Sequence, residues 1–153
     1  MVRDRNTIAA YDVATASELA VTKVVGYTAV VAALAPRLAQ DASILLFGGM
    51  AKDTPYPGST TVTTVNAAVC GLVRTMCVEL APVRVNSIHP GMIVDSPFWD
   101  GNAAAAELVE KFRKQTLTGR LGSMGDVVDA CVFLLENSLA NSIDLPVDGG
   151  HSA

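Results

Sequence analysis

Tyr56 and Lys52 place a phenol and an ammonium in one stretch of chain, and His89 adds an imidazole just before Pro90-Gly91. A phenol beside a cation can give or take a proton, and an imidazole does so near neutral pH. Each also has a plainer reading. Tyr56 and Lys52 sit in or beside a run rich in Pro, Gly, Ser and Thr, as ordinary loop residues do. His89 reads equally as a loop histidine without catalytic duty, although the carboxyl end of a strand is where α/β sheets bind ligands. His151 is the only other histidine, so a multi-histidine metal site is not expected, and Asp95 and Asp100 do not change that. Cys70, Cys77 and Cys131 lack Cys-x-x-Cys spacing and read as buried thiols.

The elements that would position these groups follow from pattern. Thr15-Ala16-Ser17-Glu18 has capping-box spacing, which predicts a helix over residues 15–38, with Gly26 marking close packing or a local irregularity. Residues 24–36 carry no charge; the run is shorter than the roughly 20 residues of a membrane span and reads as buried helix. Ser43-Ile44-Leu45-Leu46-Phe47, closed by Gly48-Gly49, predicts an interior parallel strand buried on both faces. A loop over 54–61, a helix over 62–80, a strand over 83–88, a charged helix over 103–115, a helix over 126–136 capped by Asp126 and a strand over 145–147 complete the order. Strands alternating with helices imply right-handed crossovers and an α/β class with helices on both faces of a parallel sheet.

The 153 residues suit one domain, 1–153, and half of them are apolar while 17% are charged, which excludes a disordered chain. A net charge of -4 argues against nucleic acid and anionic membranes as partners. The charged start Met1-Val2-Arg3-Asp4-Arg5 has no apolar run behind it, so a cytoplasmic protein is expected.

Asn66-Ala67-Ala68-Val69-Cys70-Gly71-Leu72-Val73-Arg74-Thr75, then Glu79-Leu80-Ala81-Pro82 and Val83-Arg84-Val85-Asn86-Ser87-Ile88-His89-Pro90-Gly91, resembles the helix, strand and Pro-Gly loop of short-chain dehydrogenase/reductases. Gly119-Arg120-Leu121-Gly122, Phe133-Leu134-Leu135 and Val147-Asp148-Gly149-Gly150 follow in the order that family shows. The resemblance implies a Rossmann-like sheet and an NAD or NADP cofactor, with Pro90, Gly91, Ile93 and Ser96 on the cofactor side. It also implies a Gly-rich phosphate-binding turn before the first long helix, and nothing of that kind precedes Thr15. Gly119, Gly122 and Gly125 follow no apolar strand and read as turn glycines. The expected fold is therefore a truncated Rossmann-like domain lacking its N-terminal cofactor-binding unit.

The resemblance assigns proton chemistry to a Tyr and a Lys four residues later, which one helix face holds together. Here those positions are Val62 and Asn66. Tyr11, Tyr27 and Tyr56 are followed four residues on by Thr15, Val31 and Thr60, so no shift of register restores the pair. The family Ser falls at or beside Gly49 and the family Asn near Lys23. No catalytic residue is therefore assigned. The sequence reads as a family member, ancestrally an NAD(P)-dependent oxidoreductase of carbonyls or alcohols, with impaired catalysis and cofactor binding reduced or absent. The alternative is a noncatalytic scaffold that forms a homo-oligomer through its two long helices. A third possibility places the missing half on another chain or upstream.

Overall fold

The computed structural model describes residues 7–97 and 105–153. Three parallel strands, β1 (Ser43–Phe47), β2 (Arg84–Pro90) and β3 (Asp144–Val147), lie in the order β1-β2-β3. Ser43 pairs with Arg84 and Ser87 with Asp144. The described residues hold five α-helices: α1 (Val13–Ala20), α2 (Gly26–Leu34), α3 (Thr60–Glu79), α4 (Ala105–Gln115) and α5 (Met124–Glu136).

Strand alternation builds a core on each face of the sheet. Ile44, Leu46 and Val85 pack against Val31 of α2 and Val69, Val73 and Met76 of α3. Leu45, Ile88 and Leu145 turn the other way, onto Val127 and Leu134 of α5 and onto Ala140. The expected α/β class with both faces covered is what forms. The hand of the connections is not uniform, however. Both β1-α3-β2 and β2-α5-β3 advance the same way across a parallel sheet, yet α3 and α5 lie on opposite faces, so the two crossovers have opposite hands and one departs from the right-handed expectation. α4 precedes α5 in the connection between β2 and β3. β1 is also not interior: among the described residues it pairs with β2 alone, and Phe47 is 43% exposed.

The first helix departs from its predicted form in three ways. Asp12, not Thr15, caps it: the Asp12 carboxylate accepts hydrogen bonds from the amides of Ala14 and Thr15 and from the Thr15 hydroxyl. Between α1 and α2 the chain makes a π turn, Val21–Val25, that ends at Gly26, so the glycine marks an irregularity rather than close packing. The segment 24–36 is not buried either; Val25, Val30 and Leu34 are 46–59% exposed and Val31 alone among these is in the core. A helix apolar all round gives no stripe from which to read its inner face. The continuous helical path Val13–Arg37 has 25 residues and contains an 18-residue window of mean hydropathy 1.6, long and apolar enough to cross a membrane by length and composition, which the shorter run did not suggest. Here it is tied to β1: Tyr27 donates its hydroxyl to the Phe47 carbonyl and Lys23 bonds the Gly48 carbonyl.

α5 begins two residues before the expected start because Ser123 caps it. The Ser123 hydroxyl accepts from the Asp126 amide while the Asp126 carboxylate accepts from the Ser123 amide, and Arg120 grips the same carboxylate. Ser123→Ala is expected to cost about 1 kcal/mol, read as a lowered Tm; an unchanged Tm would show that Asp126 alone organises the turn. At the other end of α5, Arg84 donates to the carbonyls of Leu134, Leu135 and Ala140. Fully buried Asn86 donates to the Ala140 carbonyl and accepts from the Ile143 amide. Two strand residues thereby fix the turn between α5 and β3.

Candidate functional site

The π turn directs Lys23 inward, where it is 6% exposed. Its Nζ donates to Asn66 Oδ1 at 2.6 Å and to the Gly48 carbonyl at 3.2 Å, joining the first helix to α3 and to the end of β1. Val62 lies one turn before Asn66 on α3. Thus Asn66 holds the position where the resemblance expects Lys, and Lys23 lies near the position of the expected Asn. That exchange was open to inspection in the sequence; the direct bond between the two was not.

Gly48 and Gly49 acquire a physical reason. A Cβ on Gly48 would clash with the edge of the His89 ring, at Nδ1 and Cε1, and one on Gly49 would lie 2.9 Å from Asn66 Nδ2. The space beside the expected serine is taken by an imidazole and an amide, so Gly49→Ser alone would first have to displace Asn66.

His89 is not a loop residue but part of β2, with no exposed surface, because parallel pairing to β3 continues through Pro90. Its Nδ1 accepts the Gly49 amide hydrogen at 3.1 Å, which leaves the proton of the neutral ring on Nε2. Nε2 then donates to Ser87 Oγ at 2.9 Å, Ser87 donates to Asp144 Oδ1 at 2.6 Å, and Arg74 holds Asp144 Oδ2 at 3.0 Å. Burial first, then the Lys52 charge, lowers the His89 pKa from its ordinary 6.5, against the pull of Asp144. The ring is therefore a neutral, internally bonded group rather than a proton exchanger facing solvent. Cys70 Sγ approaches Nε2 at 3.7 Å, and burial followed by the Asp144 charge pushes its thiol upward, away from a nucleophilic thiolate. All three cysteines are only partly buried, short of the expected interior thiols.

Cys70, His89 and Asp144 present donor atoms within 4.8 Å of one another, a spacing that suits a metal ion. The tautomer opposes that use: with Gly49 donating to Nδ1, the hydrogen on Nε2 points into the space a metal would take. His89 and Asp144 are joined instead through Ser87 in a directed hydrogen-bond chain.

Tyr56 and Lys52 do not act as a pair. Lys52 is ion-paired with Asp53, while Tyr56 is 49% exposed and its amide bonds Ser59 Oγ. Tyr56 lines an open hollow of about 470 Å³ with Ile8, Ser59, Thr60 and Thr63. On the expected cofactor side, Pro90 pairs with Val147, and the Gly91 amide donates to the Val147 carbonyl. Ile93 bridges to Gly122, the Val94 amide donates to the Gly122 carbonyl, and Ser96 follows in the same loop. Asp100 lies outside the described residues.

A family model described as Enoyl-(Acyl carrier protein) reductase matches residues 3–152. A short-chain dehydrogenase/reductase of Arabidopsis thaliana is 30% identical over 120 residues, 76% of this chain and 47% of that protein. Cyclopentanol dehydrogenase of Comamonas testosteroni is 34% identical over 101 residues, 63% of this chain and 40% of that one. The chain thus spans less than half the length of these relatives. A crystal structure of a small-chain dehydrogenase in complex with NADPH is similar at a TM-score of 0.90 and 25% identity, over 99% of this chain and 69% of that one. With nearly every residue matched and the sheet, helices and Pro-Gly loop in place, this chain belongs to the short-chain dehydrogenase/reductase family.

Proposed function

We propose that this chain descends from NAD(P)-dependent oxidoreductases of carbonyls or alcohols and is catalytically impaired. The observation that carries this reading is the Lys23–Asn66 bond beside Gly48 and Gly49: it fills the expected proton-transfer site with side chains that already have partners. Val62 adds no hydroxyl. The similar structure described with NADPH supports a nicotinamide nucleotide as the ancestral cofactor, and Pro90, Gly91, Ile93 and Ser96 are the residues that would face it. The amides of Gly91 and Val94 are committed to Val147 and Gly122, so they add little to binding. Titration with NADH and NADPH, followed by calorimetric heat, is expected to give a Kd in the millimolar range or weaker, with no carbonyl reduction at excess protein. Micromolar binding with turnover would overturn the proposal.

A scaffold role is the second reading, and the exposed apolar residues of the first helix favour it. Val13, Val21, Val25, Val30 and Leu34 are 46–68% exposed, as a helix that meets a second copy of the chain would be. Sedimentation would return a dimer or larger assembly on this reading and a monomer against it.

A further inference from the structure

The hydrogen bonds around His89 run in one direction. Gly49 gives its amide hydrogen to Nδ1, Nε2 gives its hydrogen to Ser87, Ser87 gives its own to Asp144, and Asp144 is closed off by Arg74. Only the neutral ring with the proton on Nε2 satisfies every link. A second proton would have to enter at Nδ1, where it would face the Gly49 N–H head on. One of the two must then move, and the movable partner is the backbone after β1, because His89 is held in β2 by its pairing with Pro146 of β3.

We propose that His89 is a proton-sensitive latch that holds the segment 48–53 against the sheet when neutral and releases it when protonated. The segment is otherwise joined to the strands by the Gly48 amide bonding the Ile88 carbonyl, to the first helix by Lys23 donating to the Gly48 carbonyl, and to α3 by Thr63 donating to the Ala51 carbonyl. Its release would free Lys52 and the start of the loop that leads to Tyr56 and the open hollow.

The charges around the ring set the direction. Asp144 on β3 lies 3.9 Å from Nε2 and favours an imidazolium, with Asp53 adding weakly from the loop. Lys52 opposes it from the loop, and burial opposes it most. On α3, Cys70 stays a neutral thiol and Arg74 adds a positive charge at the far oxygen of Asp144. Lys23, at the Gly48 carbonyl, places a further cation at the same corner. His89 therefore takes up its proton below the ordinary 6.5, and the latch contributes fully above that pH and is lost as the pH falls through the lowered value.

The test uses the whole chain. Amide hydrogen exchange, corrected for intrinsic rates, is followed from pH 7.5 downward to the pH at which α5 itself begins to lose protection. Protection of Gly48, Gly49 and Asp53 is expected to fall at least tenfold on acidification while that of α5 holds, and His89→Gln is expected to abolish the difference. Should that variant fail to fold, long-range proton–nitrogen spectra of the native imidazole decide instead: an unprotonated Nδ1 at pH 7.5 supports the latch. A neutral ring with its proton on Nδ1, or protection lost in step across the loop and α5, overturns it.

Discussion

Asn66→Lys will destabilise the chain by about 3 kcal/mol or more, and adding Lys23→Asn will recover at least half of that loss. The single substitution sets a second ammonium within hydrogen-bond distance of Lys23, in a site where both side chains are nearly inaccessible to water. One of the two must lose its proton or the helices must part. Lys23→Asn alone shortens a side chain and removes a charged donor, at about 1–3 kcal/mol. The double variant rebuilds one ammonium and one amide with their places exchanged. Urea unfolding of the four proteins measures the coupling. If the double variant is as unstable as the sum of the singles, the bond between positions 23 and 66 does not hold the first helix to α3, and the proposed reason for the lost chemistry goes with it.

The second large effect lies away from that corner. Asn86→Leu keeps the volume but leaves the Ile143 amide without its acceptor and removes the donor to Ala140. Stranding a buried backbone donor and losing a bond at the same point is expected to cost about 3 kcal/mol. The urea midpoint should drop with an unchanged slope, and exchange at the turn between α5 and β3 should quicken first. A loss under about 1 kcal/mol, within the range of one ordinary hydrogen bond, would mean that Arg84 alone suffices to hold the carbonyls of Leu134, Leu135 and Ala140.

How much of this was legible depends on which forces leave a local trace. The run 43–47 was readable because apolar residues end at two glycines, and the stretch from Asn66 to Gly91 because helix, turn and strand signals follow one another without conflict. Caps were misplaced where two suitable residues compete: Asp12 won over Thr15, and Ser123 over Asp126, because the winner's backbone is extended and frees its side chain to turn back onto the helix. The burial of 24–36 was illegible since its composition is uniform. In the site, the substitutions at 49, 62 and 66 were plain, but the partnership of Lys23 with Asn66 joins residues 43 apart in the chain and leaves no periodic mark. His89 looked like a loop residue because the apolar run stops at Ile88, whereas the strand continues under tertiary pairing with Val147 at Pro90.

The π turn at Val21–Val25 has a consequence for how this helix compares with others. A π turn is in effect one added residue, and an α-helix rotates by about 100° for each residue. Deleting a residue from that turn would leave a smoother helix whose two halves were out of phase with their present neighbours. Ala16 and Leu19 could keep their burial, or Val31 could keep its own, but not both together. Lys23 is thus held in aim by a count rather than by a motif, and among relatives a gap of one at this place, more than any change of letter, would mark where the buried ammonium is absent.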